Sequence, residues 1–561
     1  MATSLLALTN RSLTMVQAAG STYVVNSTLD EPDADPSDGI CATASNDCTL
    51  RAAIMQANFA TDPNTITVPS GIYLLTRSGY DDTALVGDLD IIHELTIQGM
   101  GAGVTIVDGN SAVTGDRVFH VLDSAANVNL RSMTIRNGNV PTTIPGDPSW
   151  GGGILVNNVD SLLVVHLRDV ILEGNAALMG GGIYASAGTI DLQNTTIRTN
   201  TTIENGPGGG IYAAASTLTI RDSQVYSNSA YNGGGVALEG MLNTRIERSE
   251  FYSNTADGTG GGIANGPTFD NPINPLTLVD SNLHDNFSSF SGGAISTNST
   301  LVLSRTVLNA NHAIYKGGGL YTNPASAATL SLQESTLSRN TAQFGGAIEY
   351  EGPAGALTLV NSTLSGNIVS HDGAGIYAIN GARVLLFNAT ITSNVLSLGH
   401  LQTNPLRGGG VFITDTAVIT AHNTLIANNL YTDNLFQVIP DDCFVSSSTT
   451  LHSLGYNLVE TTTNCTMSGT TFGNVTGQDP RLGPLTNNIG SSAVAGQTTP
   501  VRPLLPGSPA IDAGDLSGCT NGQNQPLTTD QRRFRRPIGP RCDIGAVEYS
   551  PYAIGLPLIL R

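Results

Sequence analysis

One short phrase limits what this chain can fold into. Glycines followed by a single apolar residue recur along the middle of the sequence, as Gly151-Gly152-Gly153-Ile154, Gly180-Gly181-Gly182-Ile183, Gly208-Gly209-Gly210-Ile211, Gly233-Gly234-Gly235-Val236 and Gly260-Gly261-Gly262-Ile263. It returns at Ile295, Leu320, Ile348, Ile376 and Val411, with successive apolar residues 29, 28, 25, 27, 32, 25, 28, 28 and 35 positions apart. Between the phrases lies a column of asparagines: Asn175, Asn200, Asn228, Asn254, Asn286, Asn311, Asn340, Asn367, Asn394 and Asn428. Stretches such as Leu218-Thr219-Ile220 and Leu330-Ser331-Leu332 alternate apolar and polar residues with the period of a strand. Each unit therefore carries about three short strands and no helical period. A unit of that kind cannot bury its apolar face alone, so neighbours must stack.

The expected fold is all-β, a right-handed single-stranded parallel β-helix of the pectin-lyase-like kind. In it the residues from Ile154 to Val411 form an internal ladder, and the asparagines stack at a tight turn. Composition agrees. Gly reaches 64 of 561 residues without a collagen period, and only 12% of residues are charged. A net charge of −20 excludes a phosphate-tracking nucleic-acid binder. No apolar run is long enough to span a membrane as a helix.

The six cysteines form three close pairs outside the central repeats, Cys41/Cys48, Cys443/Cys465 and Cys519/Cys542. Pairing by proximity gives three disulfides that staple caps at the chain ends, and an extracellular or cell-surface setting. A zinc site is the rival reading for Cys519/Cys542, but no His lies near and no second cysteine pair has finger spacing. Five regions follow: a leader remnant at 1–20, an N-terminal cap at 21–60, the β-helix at 61–430, last coils and a C-terminal cap at 431–548, and a tail at 549–561. Within the first cap, Leu50, Ile54 and Ala57 share one face of a short helix that Thr49 can cap. Such a helix would cover an otherwise sticky first coil.

Three resemblances rest on particular residues. Phe251-Tyr252-Ser253-Asn254 with Gly292-Gly293-Ala294-Ile295 and Gly345-Gly346-Ala347-Ile348 resembles the repeats of chlamydial polymorphic membrane proteins, which are surface adhesins. Cys48-Thr49-Leu50-Arg51-Ala52-Ala53 resembles the name motif of CSLREA-type domains of bacterial secreted proteins, departing from it at Thr49 and Ala52. The stretch from Leu504 to Gly514, with Arg532-Arg533 and Asp543-Ile544-Gly545-Ala546-Val547-Glu548, resembles the closing region of bacterial choice-of-anchor proteins. These resemblances imply a secreted or surface protein that acts in adhesion.

Candidate chemistry is sparse. Asp81-Asp82 and Asp441-Asp442 are present, but the N-T-D, G-H-G and R-I-K motifs of polygalacturonases are not, and Lys316 is the sole lysine. Asp88 and Asp90, on one strand face beside Asp81, Asp82, His93 and Glu94, are the candidate ligands for a hard cation, with calcium the implied cofactor. The acidic loop Asp30 to Asp38 offers a second calcium candidate, but its glycine falls one position late for an EF-hand, and it reads as a solvated loop. Arg532, Arg533, Arg535, Arg536 and Arg541 either pair with Asp530, Asp543 and Glu548 or offer an anion site. His312, His371 and His422 lack ligand spacing.

The residue after each ladder position points outward. That places Tyr184, Tyr212, Tyr321, Tyr377 and Phe412 in one column, with Trp150 at its edge and Ala237, Ala264, Ser296 and Glu349 as interruptions. Flat aromatics in a row suit sugar rings. The expected partner is a polysaccharide or a cell-surface receptor, bound by a monomer. A calcium-assisted polysaccharide lyase and an inert envelope rod are the competing expectations.

Overall fold

The computed structural model describes residues 20–550, apart from 61, 123–124, 126, 141–147, 158–162, 267–273, 325–327, 398–406, 434–436, 448 and 488–498. One coil shows the plan. Ile211–Ala214 leads through a turn into Thr217–Arg221, a second turn into Gln224–Tyr226, and a third into the two-residue strand Ser229–Ala230. Each strand pairs in parallel with its equivalent one coil away, so that Ile183 lies beside Ile211 and Ile211 beside Val236. Three sheets result. A glycine-side sheet of 13 strands carries the ladder, a bent sheet of 29 strands makes two faces, and a narrow sheet of 11 strands follows the asparagines.

The ladder runs as expected from Ile154 to Val411, and Leu89 and Phe119 extend it upstream and Cys443 downstream. Coils without the glycine phrase thus stack in the same register. The ladder residues are fully or almost fully buried, each contributing roughly 1.5–3 kcal/mol of apolar burial before the entropy cost of ordering.

The glycines are needed for geometry. Gly208 sits at φ +74°, a left-handed value that opens the phrase, and a Cβ on Gly209 would fall 2.5 Å from the Gly234 carbonyl of the next coil.

The asparagines form a continuous ladder. Asn200 donates Nδ2 to the Leu172 carbonyl at 3.1 Å and to Asn228 Oδ1 at 3.0 Å, while its backbone N–H donates to the same Oδ1 at 3.0 Å. The pattern repeats to Asn394, whose partner is Asn429 and not Asn428. The expectation for Asn428 is corrected by backbone shape: the residue before each ladder position turns left-handed, as at Ser227 (φ 54°) and Ser253 (φ 53°), and Asn428 (φ 60°) takes that place. Asp442 Oδ1 ends the ladder by accepting from Asn429.

A second ladder, not expected from sequence, occupies the preceding corner. Thr195 N–H donates to Ser223 Oγ at 3.0 Å, Ser223 N–H to Ser249 Oγ at 3.2 Å, and Ser249 N–H to Ser281 Oγ at 3.3 Å.

At the N-terminal end, Leu50–Phe59 is the capping helix, with Thr49 accepting from Ala52 N–H and with Leu50, Ile54 and Ala57 buried. Arg51 is fully buried beneath it. Its guanidinium meets Asp30 at 2.6 Å and the carbonyls of Ala84, Gly87 and Asp88, so Asp30 is a structural partner and not a solvated loop charge. A four-residue helix, Ser111–Thr114, has no counterpart among the sequence expectations.

All three expected disulfides are formed: Cys41–Cys48, Cys443–Cys465 and Cys519–Cys542. Cys41–Cys48 lies in the N-terminal cap, directly before the capping helix, and Cys443 and Cys465 join the main core at its last coil. The place expected for Cys519 and Cys542 is corrected. They do not staple a cap over the end of the coils, because residues 499–550 run back along the side of the coils instead. Cys519 and Cys542 are buried there against Asn423, the residue after the strand Val418–His422, whose Nδ2 donates to their sulfurs at 3.3 and 3.7 Å. Their bond to each other also removes the zinc alternative for this pair.

The rest of the segment docks in the same way. Its Pro500 carbonyl accepts from Thr336, Thr529 from Asn361 and Thr520 from Asn388, while Ala546 donates to Thr390. Lateral docking follows because the outer strand faces there carry hydroxyls and amides that match irregular backbone. Of the five arginines expected to pair, two do so, Arg532 with Asp530 and Arg536 with Glu548, while Arg533, Arg535 and Arg541 form no ion pair with them. Of the expected leader at 1–20 and tail at 549–561, residues 1–19 and 551–561 lie outside the described residues, and no helix among those described is long and apolar enough to cross a membrane.

Candidate functional site

Because alternate residues of a strand face opposite ways, the residue after each ladder position lies on the outer surface of the glycine-side sheet. Register assembles them into one column: Asp90, His120, Leu155, Tyr184, Tyr212, Ala237, Ala264, Ser296, Tyr321, Glu349, Tyr377, Phe412 and Phe444. Every aromatic expected in the column is in it, with Trp150 alongside.

The rings do not stand apart in solvent as a row of separate platforms. Strand spacing of about 4.8 Å places consecutive rings in contact. Trp150 stacks on Tyr184 at 4.5 Å between centroids, and Tyr184 on Tyr212 at 5.2 Å. Tyr184 and Tyr212 are only 6% and 7% exposed, in a small apolar cluster with Leu155 and Ala237. Ring faces within the stack are therefore consumed by one another. Beyond Tyr212, however, come Ala237, Ala264 and Ser296, three small residues in succession, before Tyr321 resumes the column.

The result is a trough. Its floor is small side chains, its walls at either end are Tyr212 and Tyr321, and four coil steps separate those walls by about 19 Å. A cavity of about 250 Å³ opens against Tyr212 and reaches Ser296, with Asn232, Glu239, Asn265 and Asn298 among its lining. Tyr212 donates its hydroxyl to Glu239, and burial followed by that bond pushes the phenol far up, so it stays protonated.

Past Tyr321 the column becomes charged. Lys316 Nζ lies over the Tyr321 ring, 5.6 Å from its centroid, pairs with Glu351, and sits 3.6 Å from Glu349 Oε1. Glu349 is flanked in register by Tyr321 and Tyr377 and is fully buried. Burial first, then its bond with Glu351, pushes its carboxyl up to about 9, so it is neutral at pH 7. Burial alone would raise Glu351 as well, but bonds from Glu349, Lys316 and Tyr321 outweigh it and hold that carboxyl low. In the sequence Glu349 stands only as an interruption of the aromatic column. Its partner Lys316 lies 33 residues earlier, and only coil register brings the two together. Tyr377, Phe412 and Phe444 continue as a second stack, with centroids 5.2 and 5.0 Å apart.

At the head of the column, the expected metal pair separates. Asp88 is held by Arg117 Nη1 at 3.0 Å, an ion pair with both side chains buried, so its carboxylate is already neutralised. Asp90 instead faces His120 and Asp82. Asp81 accepts from Thr83, Leu85 and Val86 N–H groups and so shapes the acidic turn. The three histidines given no role remain apart: His312 stacks on Phe287, His371 contacts Phe344, and His422 meets Asp515.

The profile of the right-handed β-helix region matches residues 121–364. The fold is a right-handed parallel β-helix. Among solved structures, the catalytic domain of a GH87 α-1,3-glucanase variant in complex with tetrasaccharides is similar at 13% identity, over 75% of this chain and 70% of that chain, with a TM-score of 0.37. The pectate lyase Pel9A is similar at 12% identity, over 95% of this chain and 97% of that chain, with a TM-score of 0.27. No curated protein matches the chain.

Proposed function

We propose that this β-helix is a secreted or cell-surface saccharide-binding protein, acting in adhesion, which holds a polysaccharide chain in the trough between Tyr212 and Tyr321. The observation that carries the reading is the run Ala237, Ala264, Ser296: these small side chains interrupt the rings between Tyr212 and Tyr321, and a cavity opens over them beside Tyr212. Glu239 and Asn298 line the same space and supply the few polar groups that orient a ligand. Three disulfides suit an oxidising, extracytoplasmic compartment, and the CSLREA-type and choice-of-anchor resemblances point the same way.

A second reading, cleavage of the bound chain, is favoured by one observation. Glu349 and Glu351 have carboxyls driven in opposite directions, the arrangement that acid–base chemistry on glycosides uses. Binding is preferred because Glu349 is closed from solvent.

The test is retention of neutral and acidic polysaccharides by the purified protein, with and without calcium, and with reducing and unsaturated ends assayed in parallel. Retention without new ends is expected. Ala264→Trp, which fills the floor without entering the core, should weaken retention about tenfold, equal to ~1.4 kcal/mol. Unchanged retention in that variant removes the trough as the binding site, and new chain ends replace binding by catalysis.

A further inference from the structure

We infer that Asp82, Asp90 and His120 form a binding site for a first-row divalent cation, zinc or manganese in class, at the head of the same outer column. The inference stands apart from the saccharide reading. His120 Nδ1 lies 3.2 Å from Asp90 Oδ1 and 3.8 Å from Asp82 Oδ1, and the three ligand atoms all fall within 4.8 Å of one another. The two separations from His120 fit atoms arranged around one metal at about 2.1 Å from each.

A plain His–Asp hydrogen bond does not explain the arrangement. Asp90 is fully buried, yet its Oδ1 and the His120 Nδ1 facing it are both buried without a hydrogen-bond partner. Buried polar atoms left without a partner are uncommon and costly. Asp90 is not misplaced, because its other oxygen accepts from Ala84 N–H at 2.8 Å, which fixes the carboxylate and aims Oδ1 at the imidazole. The ligands also come from independent supports. Asp90 lies on Leu89–Ile91 and His120 on Phe119–Val121, strands paired in register, while Asp82 comes from the turn above them.

Charge and donor type select the cation. Two carboxylates meet one imidazole, and Asp81 adds further negative potential at Asp90. The neighbouring guanidinium of Arg117 is turned to Asp88. One nitrogen with carboxylate oxygens suits zinc or manganese, whereas calcium takes six to eight oxygens. The calcium expected from sequence is thus replaced by a borderline cation, and Asp88 by His120. Asp82, with its side chain about half exposed, forms the solvent side of the cluster.

The test is calorimetric titration of the metal-stripped full chain with Zn²⁺, Mn²⁺ and Ca²⁺ in separate runs, with Mn²⁺ uptake also read by electron paramagnetic resonance. One equivalent of Zn²⁺ or Mn²⁺ is expected, with affinity reduced by about tenfold or more in Asp82→Ala and in His120→Gln. Asp82 is on the surface, so its variant retains the fold and keeps the test decisive if His120→Gln does not. Absence of uptake by the wild-type chain, uptake unchanged in Asp82→Ala, or tighter binding of Ca²⁺ than of Mn²⁺ would overturn the assignment.

Discussion

Replacing Asn286 by Ala tests the asparagine ladder at its middle. In the native chain Asn286 Oδ1 accepts from the Asn254 backbone N–H at 3.2 Å and from Asn254 Nδ2 at 3.0 Å, while Asn286 Nδ2 donates to the Phe251 carbonyl and to Asn311 Oδ1, both at 2.9 Å. The backbone bond from Asn286 N–H to Asn311 survives the change. What is lost is the acceptor for two N–H groups of Asn254, a residue with no exposed surface. Each buried donor left without a partner costs about 1–3 kcal/mol, so the variant should be less stable by about 4 kcal/mol. Asn282, on the outer surface of the same coil, makes one long bond to Glu250 at 3.4 Å, and its alanine variant should change stability by no more than about 0.5 kcal/mol.

Equilibrium denaturation in guanidinium gives the magnitude. Because a stacked array need not unfold as one unit, amide exchange followed by mass spectrometry locates the loss, which should centre on residues 250–290. A cost below about 1 kcal/mol for Asn286→Ala, or exchange no faster there than in the Asn282 variant, would show that the ladder is ornamental.

Three further outcomes follow from the structure. Glu349 has a folded-state pKa raised from 4.5 to about 9, so its contribution to stability is full below about pH 4.5 and is lost as pH rises through 9; Glu349→Gln should match the wild type at pH 4.5 and melt progressively higher than it toward pH 9. Replacing Cys443 and Cys465 by serine opens a link across 22 residues and should cost about 3 kcal/mol, seen as a lower denaturation midpoint and as faster exchange in the last coil. Arg536→Ala leaves Glu548 buried and uncompensated and removes bonds to Asn361 and to the Asp543 and Gly545 carbonyls; a loss of about 3–5 kcal/mol should free residues 499–550 to limited proteolysis while the coils stay resistant.

Sequence revealed the coils because their requirements repeat. Glycine is needed where the chain turns left-handed against the next coil, and asparagine where one side chain must donate twice and accept twice, so both leave periodic marks. The hydroxyl ladder left none that could be read, since serine and threonine are ordinary strand and turn residues. At the site, the tyrosine column was legible from alternation alone, but its stacking was not: whether rings face solvent or each other depends on coil spacing and on which positions are small. Glu349 with Lys316, and Asp88 with Arg117, are pairs made by register between distant segments. Proximity sufficed to pair Cys519 with Cys542 but not to place them, because the lateral course of residues 499–550 follows no period. That course is set by hydroxyls and amides on the outer faces of other coils.

The two ladders also divide the molecule's edges by how much length they tolerate. From the hydroxyl corner to the asparagine corner the chain always takes five residues, as in 195 to 200, 223 to 228, 249 to 254, 281 to 286 and 335 to 340. All variation in coil length falls on the other two corners, where asparagine to glycine takes 5 residues at 175 to 180 but 14 at 394 to 408. One edge is thus a metric spine, and the two elastic edges flank the single surface that carries Tyr212, Ala264 and Tyr321. Loops can lengthen on either bank of that surface, one coil at a time, without any change of register in the core. That surface is therefore the part of this chain most free to diversify.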